Sequence, residues 1–429
     1  MVAPDGRPPG GTPLTQTFLF LQGVCSPFFA RLADALAQRG HDVARMNFNA
    51  GDAWAWRGRA GWIYDGPLLG LKRHAREKLS EHGVSDVVLF GDQRPVHMPV
   101  VRAAREAGLR IHVFEEGYFR PSWITLERGG VNGNSLLPRS PDWYRKVGAS
   151  LPDYGNGTPF AAPMWRRAWH DVCYHLAGAA NPFLVPCYRG HALHSAPREY
   201  AGYLWRMQRV WRRQARDAET ARALVARRVP FFLLPLQLDT DAQIRFHSRY
   251  ADMGEVLHEV LDSFARHAPP TAHLLVKNHP LDYGVHDREA LLRQAGEALG
   301  VAHRLHFIES GHLPTLLSHA RGVVTVNSTV GGSALVHRCP LAVLGRAIYD
   351  MPGLSHQGSL DTFWVRPAKP DAELFRLFRN TVIHATQVNG GFYSREGIGL
   401  ALAGTVSRLE ARASELERLL GAYPPRETP

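Results

Sequence analysis

The stretch FLFLQGVCSPFFARLADAL at residues 18–36 decides the fold. Phe18 to Leu21 form an unbroken apolar run of the length of a buried strand. From Pro27 to Arg39 the apolar residues recur at helical spacing, and Gly40 stops the pattern. A buried strand feeding into a helix is half of a βαβ unit, and the pattern repeats outward along the chain. It predicts strands over 42–48, 86–90 and 110–114, with helices over 70–82 and 96–107. From about 150 to 228 the alternation gives way to Trp- and Arg-rich helical sequence, with eight arginines between Arg206 and Arg228. Alternation resumes with strands over 229–236, 273–276, 304–308, 322–326 and 341–344, separated by helices at 254–267, 288–299, 313–319 and 330–337. A last amphipathic helix over about 400–420 carries Leu402, Val406, Leu409, Ala413, Leu416 and Leu420 on one face.

The reading is an α/β protein of GT-B-like layout, with two Rossmann-like domains, a helical insert and a C-terminal helix. Its parts are a disordered N-terminus (1–14), an N-terminal Rossmann-like acceptor domain (15–150), a helical Trp/Arg-rich connection (151–228), a C-terminal Rossmann-like nucleotide-sugar domain (229–385) and a helical tail (386–429). A length of 429 residues fits two or three domains, and 45% hydrophobic with 21% charged residues is globular. The formal charge of +11 favours acidic partners without choosing among them. Only five of the 50 basic residues are lysines. The four cysteines show no C-x-x-C pair, so neither a disulfide framework nor a cysteine-ligated zinc site is expected. No window approaches the ~20 apolar residues of a spanning helix, and the run at 17–24 lacks the basic start of a signal peptide.

In open α/β sheets ligands sit beyond the carboxyl ends of the strands, so the residues just after each strand are candidates. After 110–114 come Glu115, Glu116 and Gly117: two carboxylates able to act as base, nucleophile or hydroxyl acceptor, or simply a solvated turn. After 273–276 come Lys277, Asn278, His279 and Pro280, where the proline holds His279 in extended backbone. That histidine suits donation to a phosphate or protonation of a leaving group, against the plainer role of a polar loop residue. After 322–326, Asn327, Ser328 and Thr329 precede a helix, offering an anion site, a helix cap or both. After 229–236, Gln237 and Asp241 add amide and carboxylate groups; a metal role is only weakly signalled. Walker and Gly-x-Gly-x-x-Gly loops are absent. Together the four segments describe acids on one domain and phosphate-handling groups on the other.

These segments carry a resemblance. With FLFLQGVCSPFFARLADAL (18–36), NFNAGDAW (47–54), FEEGYFRPSWITLE (114–127), PLQLDTDAQIRFHS (235–248), VKNHPLDYG (276–284), VTVNSTVGGSAL (324–335) and GLSHQGSLDTFW (353–364), the chain resembles bacterial capsular polysaccharide biosynthesis/export proteins of the KpsS/LipB type, which are β-Kdo (3-deoxy-manno-octulosonic acid) transferases. That family resembles GT-B sialyltransferases using CMP-sugars. The resemblance implies roles at the reaction centre for Glu115 and Glu116 and phosphate contacts from His279, Pro280, Ser328 and Thr329, with His279 counted among the catalytic residues. By their positions after strands, Lys277, Asn327, Gln237 and Asp241 are further candidates for donor or phosphate contacts. It implies CMP-β-Kdo as donor, no required cofactor or metal, an anionic phospholipid of the phosphatidylglycerol type as acceptor, and net retention of the β configuration. Either glutamate suits the reacting role.

The basic connection is expected to contribute an acceptor or membrane contact through Trp165, Arg166, Arg167 and Trp169 and through Trp205, Arg206, Arg209, Trp211, Arg212 and Arg213, or to be an ordinary helical linker with core aromatics and solvated arginines. The expected location is cytoplasmic, peripheral at the inner face of the cytoplasmic membrane, with other capsule synthesis or export proteins as partners. Two alternatives stay open: a CDP-polyol phosphotransferase of cell-surface polymer synthesis, and a non-catalytic capsule export or assembly component. A nucleic-acid partner is not expected, because no reader motif accompanies the dispersed charge.

Overall fold

The computed structural model describes residues 15–188, 196–239, 241–282, 284 and 286–425. The N-terminal segment predicted to be disordered lies outside the described residues. The strands are β1 (Thr17–Phe20), β2 (Asp42–Asn47), β3 (Trp62–Ile63), β4 (Asp86–Phe90), β5 (Arg110–Glu116), β6 (Trp123–Arg128), β7 (Phe231–Pro235), β8 (His273–Lys277), β9 (Leu305–Ile308), β10 (Gly322–Thr325), β11 (Leu341–Val343) and β12 (Gln387–Asn389). They form a seven-stranded sheet in the order β12-β6-β5-β4-β1-β2-β3 and a five-stranded sheet in the order β11-β10-β7-β8-β9. The second sheet is parallel throughout. The first is parallel except at one edge, where β6 runs antiparallel to both of its neighbours, β5 and β12. Helices cover both sheets, giving the two-domain α/β layout expected.

Strand alternation sorts the first domain's core into two layers. Phe18, Phe20 and Phe114 face one side, against Phe28, Phe29 and Phe392; Leu19, Leu21 and Val113 face the other. Burying each such ring contributes roughly 1.5–3 kcal/mol.

Three local differences from the sequence reading matter. First, β5 runs through Glu115 and Glu116 rather than ending at Phe114, because β6 pairs Thr125 with Glu115 and Ile124 with Glu116. Second, the tail is not one helix. It begins as β12 in the first sheet, continues as helix Arg395–Glu410, and restarts as helix Glu415–Ala422. Ser414 and Glu417 form a capping box that fixes the restart. Third, residues assigned with the first domain on sequence grounds belong elsewhere: Leu137, Trp143, Tyr144 and Val147 pack into the second domain's core. Helix Ala196–Ala226 lies along β9, with the Asp217 carboxylate accepting from the backbone N–H of Glu309 and Ser310 at 2.9 and 3.0 Å.

Candidate active site

Strand order reverses between β1 and β4 in the first sheet and between β7 and β10 in the second, the two places where such sheets bind ligands. Each is bridged by residues just past the strands. Arg94 donates to the Gln22 side chain and the Gly23 carbonyl at 2.9 and 3.0 Å. The Gln237 amide donates to Asn327 at 3.2 Å, and the Asn327 side chain in turn donates to the His247 carbonyl. Gln237 and Asn327 are buried and committed to each other, so they clamp strand ends and are not open phosphate contacts.

The glutamates close the hairpin from β5 to β6. Alternation sends them to opposite faces of the sheet. Glu115, half-buried, lies against Arg94 and across from Asp241 of the second domain. Burial, reinforced by the Glu116 and Asp241 carboxylates and only partly offset by the Glu116 N–H, which donates to it at 2.9 Å, and by Arg94, pushes the Glu115 carboxyl up to about 7. Glu116 pairs with Arg167 at 3.3 Å and with Arg120 at 3.9 Å. Arg167, on helix Met164–Gly178, stacks its guanidinium over Tyr393 at 5.0 Å. Gly117 is required by close approach: a Cβ there would stand 2.1 Å from the Trp123 carbonyl oxygen. The Tyr118 N–H donates to Gln387 of β12 at 3.0 Å, and the Tyr118 hydroxyl donates to Glu127 at 2.6 Å. Burial raises Glu127 to about 7 despite that bond and one from Ser135.

In the second domain, Asn278 fixes the loop that carries His279. Its amide donates to Asp282 at 3.0 Å and Glu309 at 2.9 Å, and its carbonyl oxygen accepts from the His279 N–H at 2.8 Å. His279 Nδ1 accepts from the Leu281 N–H at 3.1 Å, which leaves the proton on Nε2. Burial, helped by the charges of Lys277, Arg206 and Arg120, lowers its pKa to about 4. His279 in the free protein is therefore a neutral donor through Nε2–H. Lys277, by contrast, is buried beneath this loop, donating to the Asn278 carbonyl at 3.4 Å, with Asp217 and Glu309 near its ammonium. Pro280 is exposed and offers its carbonyl to Arg206 at 2.8 Å. Ser328 caps helix Thr329–Val336, accepting from the Val330 N–H at 3.2 Å, while Thr329 is exposed at that helix start.

The segments converge across the domains: Asp241 acts on Glu115, Arg120 acts on His279, and the Tyr118 carbonyl stands 3.8 Å from the Cβ position of Gly332. Arg206 does not belong to an open surface. It is 3% exposed, donating to Glu309 at 2.9 and 3.1 Å and to the carbonyls of Pro280 and Asp282 at 2.8 Å. Arg209 likewise pairs with Glu289 at 3.0 Å, because this helix holds the second domain's loops. Trp205, Trp211 and Arg212 of the predicted acceptor contact are exposed. The sequence reading missed Arg94, Arg120 and Gln387. Arg94 follows β4 and obeys the same post-strand rule; Gln387 gives no local signal. Among the described residues no helix is long and apolar enough to cross a membrane.

Comparison with known proteins matches residues 85–393 to the family described as capsule polysaccharide biosynthesis protein. The chain is 37% identical over 385 residues to the capsule polysaccharide export protein KpsS of Escherichia coli, covering 88% of this chain and 96% of that one. It is 35% identical over 389 residues to the capsule polysaccharide modification protein LipB of Neisseria meningitidis serogroup B, covering 89% and 92%. Among solved structures it matches the β-Kdo 2,7 transferase of Thermosulfurimonas dismutans KpsC at 14% identity and a TM-score of 0.43, covering 91% and 99%. The chain belongs to the capsule polysaccharide biosynthesis protein family.

Proposed function

We propose that this protein is a retaining glycosyltransferase that moves β-Kdo from CMP-β-Kdo to a phosphatidylglycerol-type lipid, beginning the Kdo linker of a capsular polysaccharide at the inner face of the cytoplasmic membrane. The observation that supports the reading is the approach of the segments that carry these groups: Asp241 of the second domain lies near Glu115, Arg120 near His279, and the Tyr118 carbonyl 3.8 Å from the Cβ position of Gly332 on the helix that Ser328 caps. The opposite-facing glutamates then divide the work. Glu115, facing the second domain, attacks the anomeric carbon or stabilises its positive charge as the carbon–oxygen bond to CMP breaks and the phosphate leaves with the electron pair. The neutral Nε2–H of His279 and the N–H groups at the Thr329 helix start receive that phosphate. Glu116, facing the helical connection, takes the acceptor hydroxyl's proton as the new bond forms and Glu115 is released.

The test is incubation of purified protein with CMP-Kdo generated in situ and a short-chain phosphatidylglycerol, read by mass spectrometry of the lipid. A gain of one Kdo, lost in Glu115→Gln, is expected. No gain, with CDP-glycerol instead giving a glycerol phosphate adduct, would replace the reading with polyol-phosphate transfer.

A further inference from the structure

Helix Met164–Gly178 presents an apolar stripe to solvent. Trp165, Trp169, Val172 and Leu176 recur at helical spacing, and Trp165, Trp169 and Leu176 are 65%, 62% and 69% exposed. Phe183, just beyond the helix, is 89% exposed. Beside the stripe lies a cavity of about 230 Å³ at the carboxyl edge of the first sheet, walled by Trp165, Trp169, Arg31, Arg57, Arg166 and Arg395. No carboxylate lines it, and among the described residues none of the four arginines is paired with one. His170 also lines the cavity, and its Nδ1 is buried without a hydrogen-bond partner. Burial, together with the charges of Arg57, Arg166 and Arg31, holds His170 below the ordinary histidine range.

The arginines of helix Ala196–Ala226 present the opposite case. Arg209, Arg213 and Arg216 converge on Glu289, and Arg209 also reaches Asp287 and Glu309 at 3.6 Å, so part of their charge is met by the second domain's own carboxylates. Of that helix's exposed cations, Arg212 lies beside Trp211 without a carboxylate partner among the described residues, but the arginines that wall a cavity lined by no carboxylate are those beside the other helix. Tyr393 completes the cavity wall and carries Arg167, which pairs with Glu116. The cavity thus adjoins the Glu116 side of the strand end.

We infer that this stripe and its arginine-walled cavity are the docking face for an anionic phospholipid surface, the aromatic residues entering the headgroup layer and the cavity taking a lipid phosphate. Trp and Phe beside clustered arginines are the composition of an interfacial helix. The assignment rests on the proposed lipid acceptor for its place in the reaction, and it favours the first of the two aromatic–arginine clusters read from the sequence over the one at Trp205 and Trp211.

Docking is measured without donor, by co-sedimentation of the full chain with vesicles of mixed phosphatidylglycerol and phosphatidylcholine, against phosphatidylcholine alone. Transfer to the short-chain lipid is measured separately, so loss of chemistry with binding intact counts only against the transferase reading. Trp165→Ser with Trp169→Ser, and separately Arg31→Glu with Arg395→Glu, should each weaken binding to the anionic vesicles by about tenfold or more. Trp205→Ser with Trp211→Ser should leave it within about twofold. All six positions are exposed or line an open cavity, and unchanged melting of each variant certifies the fold. The inference is overturned by equal binding to neutral vesicles, by no binding of the parent, or by loss confined to the Trp205 and Trp211 variant.

Discussion

The pH dependence of transfer is the sharpest test of the role given to Glu115. Its carboxyl is raised to about 7 by burial and by the Glu116 and Asp241 carboxylates, and it is asked to act ionised. An acid with that pKa is about 9% ionised at pH 6 and about 91% at pH 8, so kcat/KM should rise about tenfold between them and level off above. His279, at about 4, is neutral throughout this window and adds no limb. Glu127, also raised to about 7, touches Tyr118 of the same loop and is the competing source of such a profile. Two variants separate them. Glu115→Gln should lose about 10³-fold in rate and leave a residual rate flat with pH. Glu127→Gln should keep the sloping profile. Initial rates are read as CMP release with the donor regenerated in place, so donor decay does not imitate the limb. A flat or inverted profile in the parent, or a slope that survives in Glu115→Gln, would refute the assignment.

The remaining predictions concern the scaffold of the site. His279→Gln, which keeps an N–H donor, should retain more activity than His279→Ala, which should lose about 10²-fold or more in kcat; equal losses would deny the neutral-donor role. Arg206→Met strips a buried partner from Glu309, the two being 3% and 5% exposed, and should cost roughly 3–5 kcal/mol in denaturant unfolding; under about 1 kcal/mol would mean the loop is held otherwise. Glu127 has a folded pKa above its unfolded one, so its stability contribution is present at low pH and is lost as pH rises from about 4.5 through about 7. Glu127→Gln should therefore gain on the parent by about 1 kcal/mol more at pH 8 than at pH 6, measured by unfolding at both values. Gln387→Met leaves the Tyr118 N–H without its acceptor and removes the donor to the Thr125 hydroxyl, which keeps its bond to the Glu116 carbonyl, and should cost about 1–3 kcal/mol while lowering kcat; unchanged kcat would remove β12 from the site's support.

How much of this was legible depends on what each element's burial draws on. The parallel strands β1, β4, β7, β8 and β10 are short apolar runs bounded by turns, and their sequence reports that directly. β6 is buried along its whole length although it holds Thr125, Glu127 and Arg128, because Tyr118, Ser135 and the carbonyls of Ala411 and Arg412 supply partners from distant segments. A strand whose polar residues are satisfied by the fold carries no periodic signal. β12 is three residues that pair with a strand about 260 positions upstream. The positions after the strands were readable because they follow from chain direction. What the site residues do was less so: Gln237, Asn327 and Lys277 sit where phosphate contacts belong, yet are buried among groups on other strands and helices.

The reach of β5 also decides how two neighbouring carboxylates can serve one reaction. Consecutive Cα atoms are about 3.8 Å apart and their side chains leave opposite faces of the sheet, so no ligand lying on either face is reached by both. Only a group beyond the carboxyl edge, in line with the strand, meets Glu115 from one side and Glu116 from the other. On the second domain's side, Asp241 lies near Glu115, and Arg120 of the β5–β6 turn lies near His279. The antiparallel partner β6 is what carries β5 to that edge, and β12 and Tyr393 brace the two sides of the turn. The C-terminal segment, which the sequence offers only as an amphipathic helix, is thereby part of the candidate active site: it fixes the peptide at Tyr118, seats the arginine that faces Glu116, and contributes Arg395 to the cavity beside it.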